Sequence, residues 1–447
     1  GYMMNKRLIN FLFKIDNITE HWKSLLIIRK AITILFPFIL VGVYVELISD
    51  AVFHKHGFLN NIYHINQWLP GFKIFSRYFT ILDLSINGVI SIALTFLIAE
   101  ITIQRTSKNE LVAGVTAAFS FMIMNFNRGI LGHTGNHETS WFLEGNLGYS
   151  GIFIAIIVGL VTGWIFNHFA VSNTDKGTGR EGLFEQRLSL ATQIHKTLKP
   201  ALITLAFFGV FSCIVSFLIK LSANGLLSNP LEFSFTGYSL VLGSAILSLM
   251  LNNFIWLLGL IGYFDFNNIN SSNMVQNLEY AIQHGSSWGA PNPISLHTLV
   301  DSFANIGGPG MALSLFIAII WRSRDKDIQI IGKTSLLPSI FNVNQSPLVG
   351  IALLYDPLLI IPFICTPMVS IIITWSALKL NFMPPSVYPV SETTPGFLAG
   401  WLGTGGTWQA FLISIINLLA AVALYLPFVL LHNYFESMRK GGATNEI

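Results

Sequence analysis

Charge is what this sequence has least of. Only 11% of its 447 residues are Asp, Glu, Lys or Arg, while 52% are hydrophobic and the mean hydropathy is +0.61. A water-facing surface usually draws on about 25% charged residues, so the composition excludes a soluble globule. Cysteine is equally scarce: Cys213 and Cys365 both lie in apolar runs, which speaks against a disulfide framework. No HExxH or Cys-rich spacing offers a metal centre, and His133 and His137 read as plain loop residues. The glycine-rich strand-to-helix turn of a dinucleotide site is missing too, so neither a metal nor a cofactor is expected.

What is there in quantity is apolar sequence. Runs recur at about 31–50, 84–101, 111–125, 150–170, 201–222, 236–263, 310–321, 349–378 and 408–432. Most approach the ~20 residues that cross hydrocarbon as helix, and they amount to about ten spans, some of them broken. The few basic residues set the orientation. Lys6, Arg7, Lys14, Lys23, Arg29 and Lys30 precede the first span, and Arg105, Lys108, Lys176, Arg180, Arg187, Lys196 and Lys199 fall in alternate loops. The positive-inside rule makes those loops and the N-terminus cytoplasmic. The net charge of +3 is thereby topology and not affinity for nucleic acid. The segment around 173–199 is expected to form an amphipathic helix along the membrane face.

After Lys220 the texture changes. No Lys or Arg occurs until Arg322, yet Asn252, Asn253, Asp265, Asn267, Asn268, Glu279, Asn292, Asp301 and Asn305 interrupt the apolar sequence. Pro and Gly break the runs at APNP, NIGGPG, MPP and TTPG, and SIFNVNQSPLVG at 339–350 places three amides together. Irregular backbone at membrane depth is tolerated where it is buried in protein or lines a polar cavity, and such broken segments point to a binding site. A cavity without cations but rich in amides and carboxylates, with Trp256, Trp288 and Tyr263 nearby in sequence, suits a neutral polyhydroxylated ligand. The plain alternative is that single amides such as Asn252 or Asn253 only join helix to helix.

Several stretches in order carry a resemblance: IWLLGLIG at 255–262, LVDSFANIGGPGMALSLFIAI at 299–319, LLPSIFNVNQSPLVG at 336–350, YDPLLIIPF at 355–363, SETTPGFLAG at 391–400 and LYLPFV at 424–429. From about residue 20 to 435 the chain resembles Enzyme IIC, the membrane component of the lactose and cellobiose type sugar phosphotransferase system. The resemblance implies an all-α integral membrane fold with ten transmembrane helices and two re-entrant hairpins. It implies an N-terminal half, 1–200, that forms a homodimer, a connecting span and loop at 201–229, a sugar-binding half at 230–435 and a cytoplasmic tail or linker at 436–447.

The departures from the family pattern bear on chemistry. Where the family has W-x-x-G-I-H-G, this sequence has WLLGLIG, with Ile261 in place of the histidine between Trp256 and Gly262. The I-N-E-P glutamate, thought to help activate the sugar hydroxyl, is replaced by Gln345 beside Asn344, and Ser346 replaces the proline. Glu392 stands for a tryptophan before Thr393, and His297 for a lysine before Asp301. An amide or an isoleucine cannot take up a proton near neutral pH. The expected saccharide contacts are therefore Trp256, Ile261, Gly262, His297, Asp301, Asn344, Gln345, Glu392 and Thr393, with no catalytic residue among them. Asp356 reads as a helix end.

Two functional classes stay open. One is a saccharide sensor, dimeric and embedded in lipid of the bacterial cytoplasmic (inner) membrane, that has lost phosphotransfer and signals to a cytoplasmic domain, of which EAL-type cyclic-di-GMP phosphodiesterases are an example found fused to such modules. The other is an active permease that transports and phosphorylates its sugar with a IIB-type partner, using His297, Asp301 or Glu392 as base.

Overall fold

The computed structural model describes residues 6–104, 109–126, 141–142, 144–171, 190–222, 242–243, 246–247, 249–250, 271–343 and 347–443. Among them the architecture is all-helical, with two isolated bridge contacts and no strand. The principal helices are α1 (Lys23–Ile48), α2 (Ile90–Ile103), α3 (Glu110–Met124), α4 (Ile152–Phe169), α5 (Leu190–Ser222), α6 (Ala312–Arg322), α7 (Lys326–Ile340), α8 (Pro347–Tyr355), α9 (Ile360–Lys379), α10 (Gly396–Gly403) and α11 (Trp408–Ala443). Six stretches among the described residues are long and apolar enough to cross a membrane: Lys23–Phe53, Phe72–Ile103, Ile152–Phe169, Ile194–Phe217, Pro357–Lys379 and Trp408–Lys440. This is a multi-pass membrane protein. The apolar run at 236–263 lies mostly outside the described residues, as do residues 172–189 of the expected amphipathic segment. Its described end, from Leu190, is the start of α5, which continues past Pro200 without a break.

One compact unit comprises Glu20–Pro37 and Ser85–Glu232. Its helices α2 to α5 pack through small residues: a Cβ on Gly159 would come 2.8 Å from Ile98 Cβ, and one on Gly163 would come 2.5 Å from Thr102 Cβ. Close approach of this kind gives dispersion contact where lipid tails remove the hydrophobic drive between helices. Most hydroxyls in these helices stay local, although Ser91 Oγ donates to Gly148 O at 2.6 Å and Ser212 Oγ to Ile123 O at 3.1 Å. Thr95 donates to Ser91 O at 2.8 Å, Thr102 to Ile98 O at 2.6 Å, Thr116 to Val112 O at 2.7 Å and Ser120 to Thr116 O at 2.8 Å. Hydroxyls satisfied one turn back let the helices run on uninterrupted. Phe119, Trp164, Phe207, Phe211 and Phe217 remain exposed, as apolar side chains facing lipid would be.

The other unit comprises Gly1–Thr19, Phe38–Leu84 and Phe233–Ile447. Here the long helices α9 and α11 alternate with the short helices α6, α8 and α10 and with breaks between them. α6 has 11 residues, which reach only about 16 Å at 1.5 Å per residue, half of the ~30 Å hydrocarbon core. Just before it, Gly307, Gly308 and Gly310 take φ of +81°, +100° and +66°. A Cβ at Gly310 would lie 2.1 Å from Phe363 Cδ2, so only glycine fits. The freed carbonyls are caught by α11: Tyr425 Oη donates to Gly310 O at 2.6 Å, and Asn417 Nδ2 to Phe303 O at 3.2 Å. An orphaned buried acceptor would cost about 1–3 kcal/mol, so these two polar side chains on an apolar helix make the break possible. Around it Leu299, Phe303, Ala304, Ile371, Ala410 and Ile413 form one core and Ile306, Met311, Leu313 and Ala421 another. The apolar run at 349–378 is likewise interrupted: α8 ends at Tyr355, and Asp356 caps the turn Pro357–Leu359, accepting from Leu358 N at 3.2 Å.

Candidate functional site

Two of the expected ligand contacts meet in a π-helical turn, His297–Ser302. Such a turn carries an extra residue per turn and recurs at functional sites. Serine and threonine fasten it: Thr298 Oγ1 accepts from Ser386 N at 3.2 Å, and Ser302 Oγ donates to Ser386 Oγ at 2.8 Å. Ser386 itself is held in the bend 384–388, where Val387 N and Tyr388 N both donate to Gly403 O, at 2.7 and 2.9 Å. In the turn so fixed, His297 and Asp301, four residues apart, face each other with Nδ1 and Oδ2 3.1 Å apart. Their side chains are 19% and 28% exposed, so the pair is sheltered but reachable. When the carboxylate accepts from Nδ1–H, Nε2 keeps its lone pair, the arrangement that lets an imidazole take a proton from a ligand hydroxyl.

Glu392 and Thr393 occupy a tight turn after Ser391, in which Thr393 takes a left-handed φ of +60°. Thr394 Oγ1 donates to Ser391 O at 2.6 Å and closes the turn. It is docked on residues that sequence reasoning did not single out. Glu392 Oε2 pairs with His54 Nδ1 at 2.9 Å, Thr393 Oγ1 accepts from Phe58 N at 3.2 Å and Asn61 Nδ2 donates to Ser391 Oγ at 2.7 Å. The segment receiving it is the π-helical turn Ser49–Phe53 and the residues after it. Gly57 is obligatory there, because a Cβ would stand 2.3 Å from Asp50 O. The helix α10 that follows the Glu392 turn packs on the chain just past the π turn His297–Ser302: a Cβ on Gly396 would be 2.7 Å from Ile306 Cα, and one on Gly400 2.4 Å from Phe303 Cε1.

The entry to the amide-rich knot, Asn342 and Val343, approaches the same segment. α7 ends in a left-handed Asn342 with φ +53°, and Val343 N donates back to Pro338 O at 3.2 Å, a glycine-like helix stop made by asparagine. Val343 is then buried with Leu47 and Ala51, against Tyr44 and Leu59. Asn344 and Gln345 follow and lie outside the described residues, as do Trp256, Ile261 and Gly262. The structure thus brings the entry to the knot and the Glu392 turn onto one stretch, residues 44–61, and pairs His297 with Asp301 a few residues before α10's packing surface.

That stretch holds what the sequence reading missed. Glu46 and Asp50 lie on α1 and its continuation, close enough to Asp83 for their charges to interact, and Glu392 adds a fourth carboxylate near Asp50. Carboxylates inside an apolar span are rare and mark function by default. The acids themselves, at 46 and 50 in an apolar run, were the available signal.

Comparison with known proteins gives the family. The family model described as phosphotransferase system, EIIC, matches residues 29–367. The chain belongs to that family. Among EIIC proteins it is 38% identical over 136 residues to the cellobiose-specific EIIC component of Lactococcus lactis, covering 30% of this chain and 28% of that one. It is 24% identical over 440 residues to the oligo-beta-mannoside-specific EIIC component of Bacillus subtilis, covering 95% and 93%. The first alignment therefore spans less than a third of its relative's length, and the second spans nearly all. A superposition on the crystal structure of ChbC, the IIC component from an N,N'-diacetylchitobiose-specific phosphotransferase system, gives a TM-score of 0.39 at 19% identity, over 98% of this chain and 100% of that one.

Proposed function

We propose that this EIIC protein binds a neutral saccharide, most simply a disaccharide, and acts as a receptor that does not transfer phosphate to it. The observation that carries the reading is Gln345, an amide where the family's motif has its acid, together with Ile261 where it has its histidine. Hydrogen bonding to hydroxyls survives both changes; proton uptake by those two positions does not. The relatives named for cellobiose and oligo-beta-mannosides support a β-linked glycoside as the ligand class. A sugar that favours one arrangement of its binding unit over another shifts the population by its differential affinity, and a cytoplasmic domain or partner would read that shift. In this reading the dimer scaffold is drawn from residues 1–200, except for Gly1–Thr19 and Phe38–Leu84, which group with the sugar half at 230–435, and the N-terminus is cytoplasmic by the distribution of basic residues.

A second reading has one specific observation in its favour. The His297–Asp301 pair could supply a base of its own, which would make the chain an active permease served by a IIB-type partner. Binding itself is tested by calorimetric titration of cellobiose and other β-linked disaccharides into the purified chain. Asn344→Ala is expected to weaken binding by about 1–3 kcal/mol through loss of hydrogen bonds to hydroxyls. Absence of any saccharide binding by the unaltered protein would refute both readings.

A further inference from the structure

Two turns beyond Tyr425 on α11, a histidine is enclosed by carboxylates. His432 is 6% exposed, with Asp356 Oδ1 3.3 Å from Nδ1 and Asp325 Oδ2 3.6 Å from Nε2. Neither ring nitrogen completes a hydrogen bond. One turn further on the same helix is Glu436, and ligand atoms of Asp325, His432 and Glu436 all lie within 4.8 Å of one another. From this geometry we propose that Asp325, His432 and Glu436 bind a divalent transition-metal ion of the zinc type, with Asp356 behind the histidine.

Each residue is set up for its part by local structure. His432 and Glu436 are four residues apart on one helical turn, so their side chains project from the same face. Asp325 caps α7 with one oxygen: Oδ1 accepts from Asp327 N at 2.8 Å and Ile328 N at 3.4 Å, which leaves Oδ2 toward the imidazole. The strand of chain that presents it is pinned to α11 from two sides, since Asn433 Nδ2 donates to Arg322 O at 2.7 Å and Arg324 N donates to Asn433 Oδ1 at 2.9 Å. Asp356, 1% exposed, stands at Nδ1. Once an ion is bound, a carboxylate in that position would accept from Nδ1–H and leave the Nε2 lone pair to the ion, as second-shell carboxylates do behind zinc-bound histidines. One imidazole and two carboxylates form a donor set for zinc or cobalt rather than for magnesium or calcium, which take oxygen alone. Drawing in to bonds of about 2.0–2.2 Å would leave a fourth position for water.

Two cations stand close by, and neither fills the cluster. Lys440 Nζ is 2.5 Å from Glu436 Oε1, which leaves the second oxygen, and Arg439 pairs with Asp16. Asp325 and Asp356 are also the residues that bracket α7, the knot and α8 in sequence. An ion bound between α11 and Asp325 would therefore fix the start of α7 against α11.

The rival occupant is a proton, which would make His432 an imidazolium bridging two aspartates with no metal. To separate them, the full chain in detergent is stripped with EDTA and titrated with Zn²⁺, and separately with Co²⁺, reading bound metal by mass spectrometry and the cobalt d–d absorption. The unaltered protein is expected to hold one equivalent more than Glu436→Gln or His432→Ala, and to melt at a higher temperature with Zn²⁺ than without. Asp356→Asn keeps the three ligands and should weaken affinity about 10–100-fold. The difference between variants removes any contribution from His54, His56 or other exposed histidines. Equal metal content in the unaltered chain, Glu436→Gln and His432→Ala would overturn the proposal and leave the proton-bridged pair; if His432→Ala does not fold, Glu436→Gln decides alone.

Discussion

The two compact units solve the same problem in opposite ways. In the unit of Glu20–Pro37 and Ser85–Glu232, most hydroxyls bond back to their own helix, and Gly159 and Gly163 let helices approach without bending the backbone. In the unit of Gly1–Thr19, Phe38–Leu84 and Phe233–Ile447, glycines bend the backbone and polar side chains of one helix satisfy carbonyls of another segment. A membrane protein has no water to cover a broken helix, so every break requires a dedicated partner. Breaks are retained where backbone and polar side chains must face a ligand, and the paired His297 and Asp301 and the docked Glu392 turn sit in the broken unit. On the proposed reading, the regular unit is the scaffold and the broken unit carries the ligand.

The sharpest way to break this comparison is at two glycines. Gly310→Ala meets Phe363 in a left-handed backbone and should cost about 3 kcal/mol or more. Gly209→Ala, on α5 with nothing within 4 Å of the new methyl, should instead gain about 0.5–1 kcal/mol. Melting curves in one detergent read both, and effects of the same sign would undo the contrast. Next in size is Tyr425→Phe, which strands Gly310 O and is expected to lose about 1–3 kcal/mol, against at most about 1 kcal/mol for Thr95→Val in the regular unit. The smallest effect is at the rim. His54 and Glu392 are 45% and 65% exposed, so Glu392→Gln should change stability by less than about 1 kcal/mol, and a larger loss would make that pair structural.

Composition alone made the helical membrane fold legible, because charge this sparse leaves no other solvent. Pro and Gly at NIGGPG announced the break before α6, and Asp356 announced the end of α8. What stayed hidden depends on distance in sequence. Nothing in the run around Tyr425 or Asn417 says which carbonyl each will catch, more than a hundred residues away. The partnership of Glu392 with His54 spans most of the chain and has no periodic signature, so residues 44–61 went unnoticed as a docking platform. His432 and Glu436 were readable as a helical pair; that Asp325 and Asp356 would flank them was not.

The most direct measurement is of phosphate transfer. Membranes containing the protein are supplied with a saccharide it binds and a phosphorylated IIB-type partner, and sugar phosphate is quantified. With Gln345 and Ile261 in the places of the acid and the histidine, no product above background is expected, and Gln345→Glu alone should not restore it, since the histidine is still missing and a lone buried acid tends to stay protonated. Ile261→His combined with Gln345→Glu is expected to recover part of the transfer. Sugar phosphate formed by the unaltered chain, and abolished by Asp301→Asn, would contradict the receptor reading and assign the chemistry to the His297–Asp301 pair.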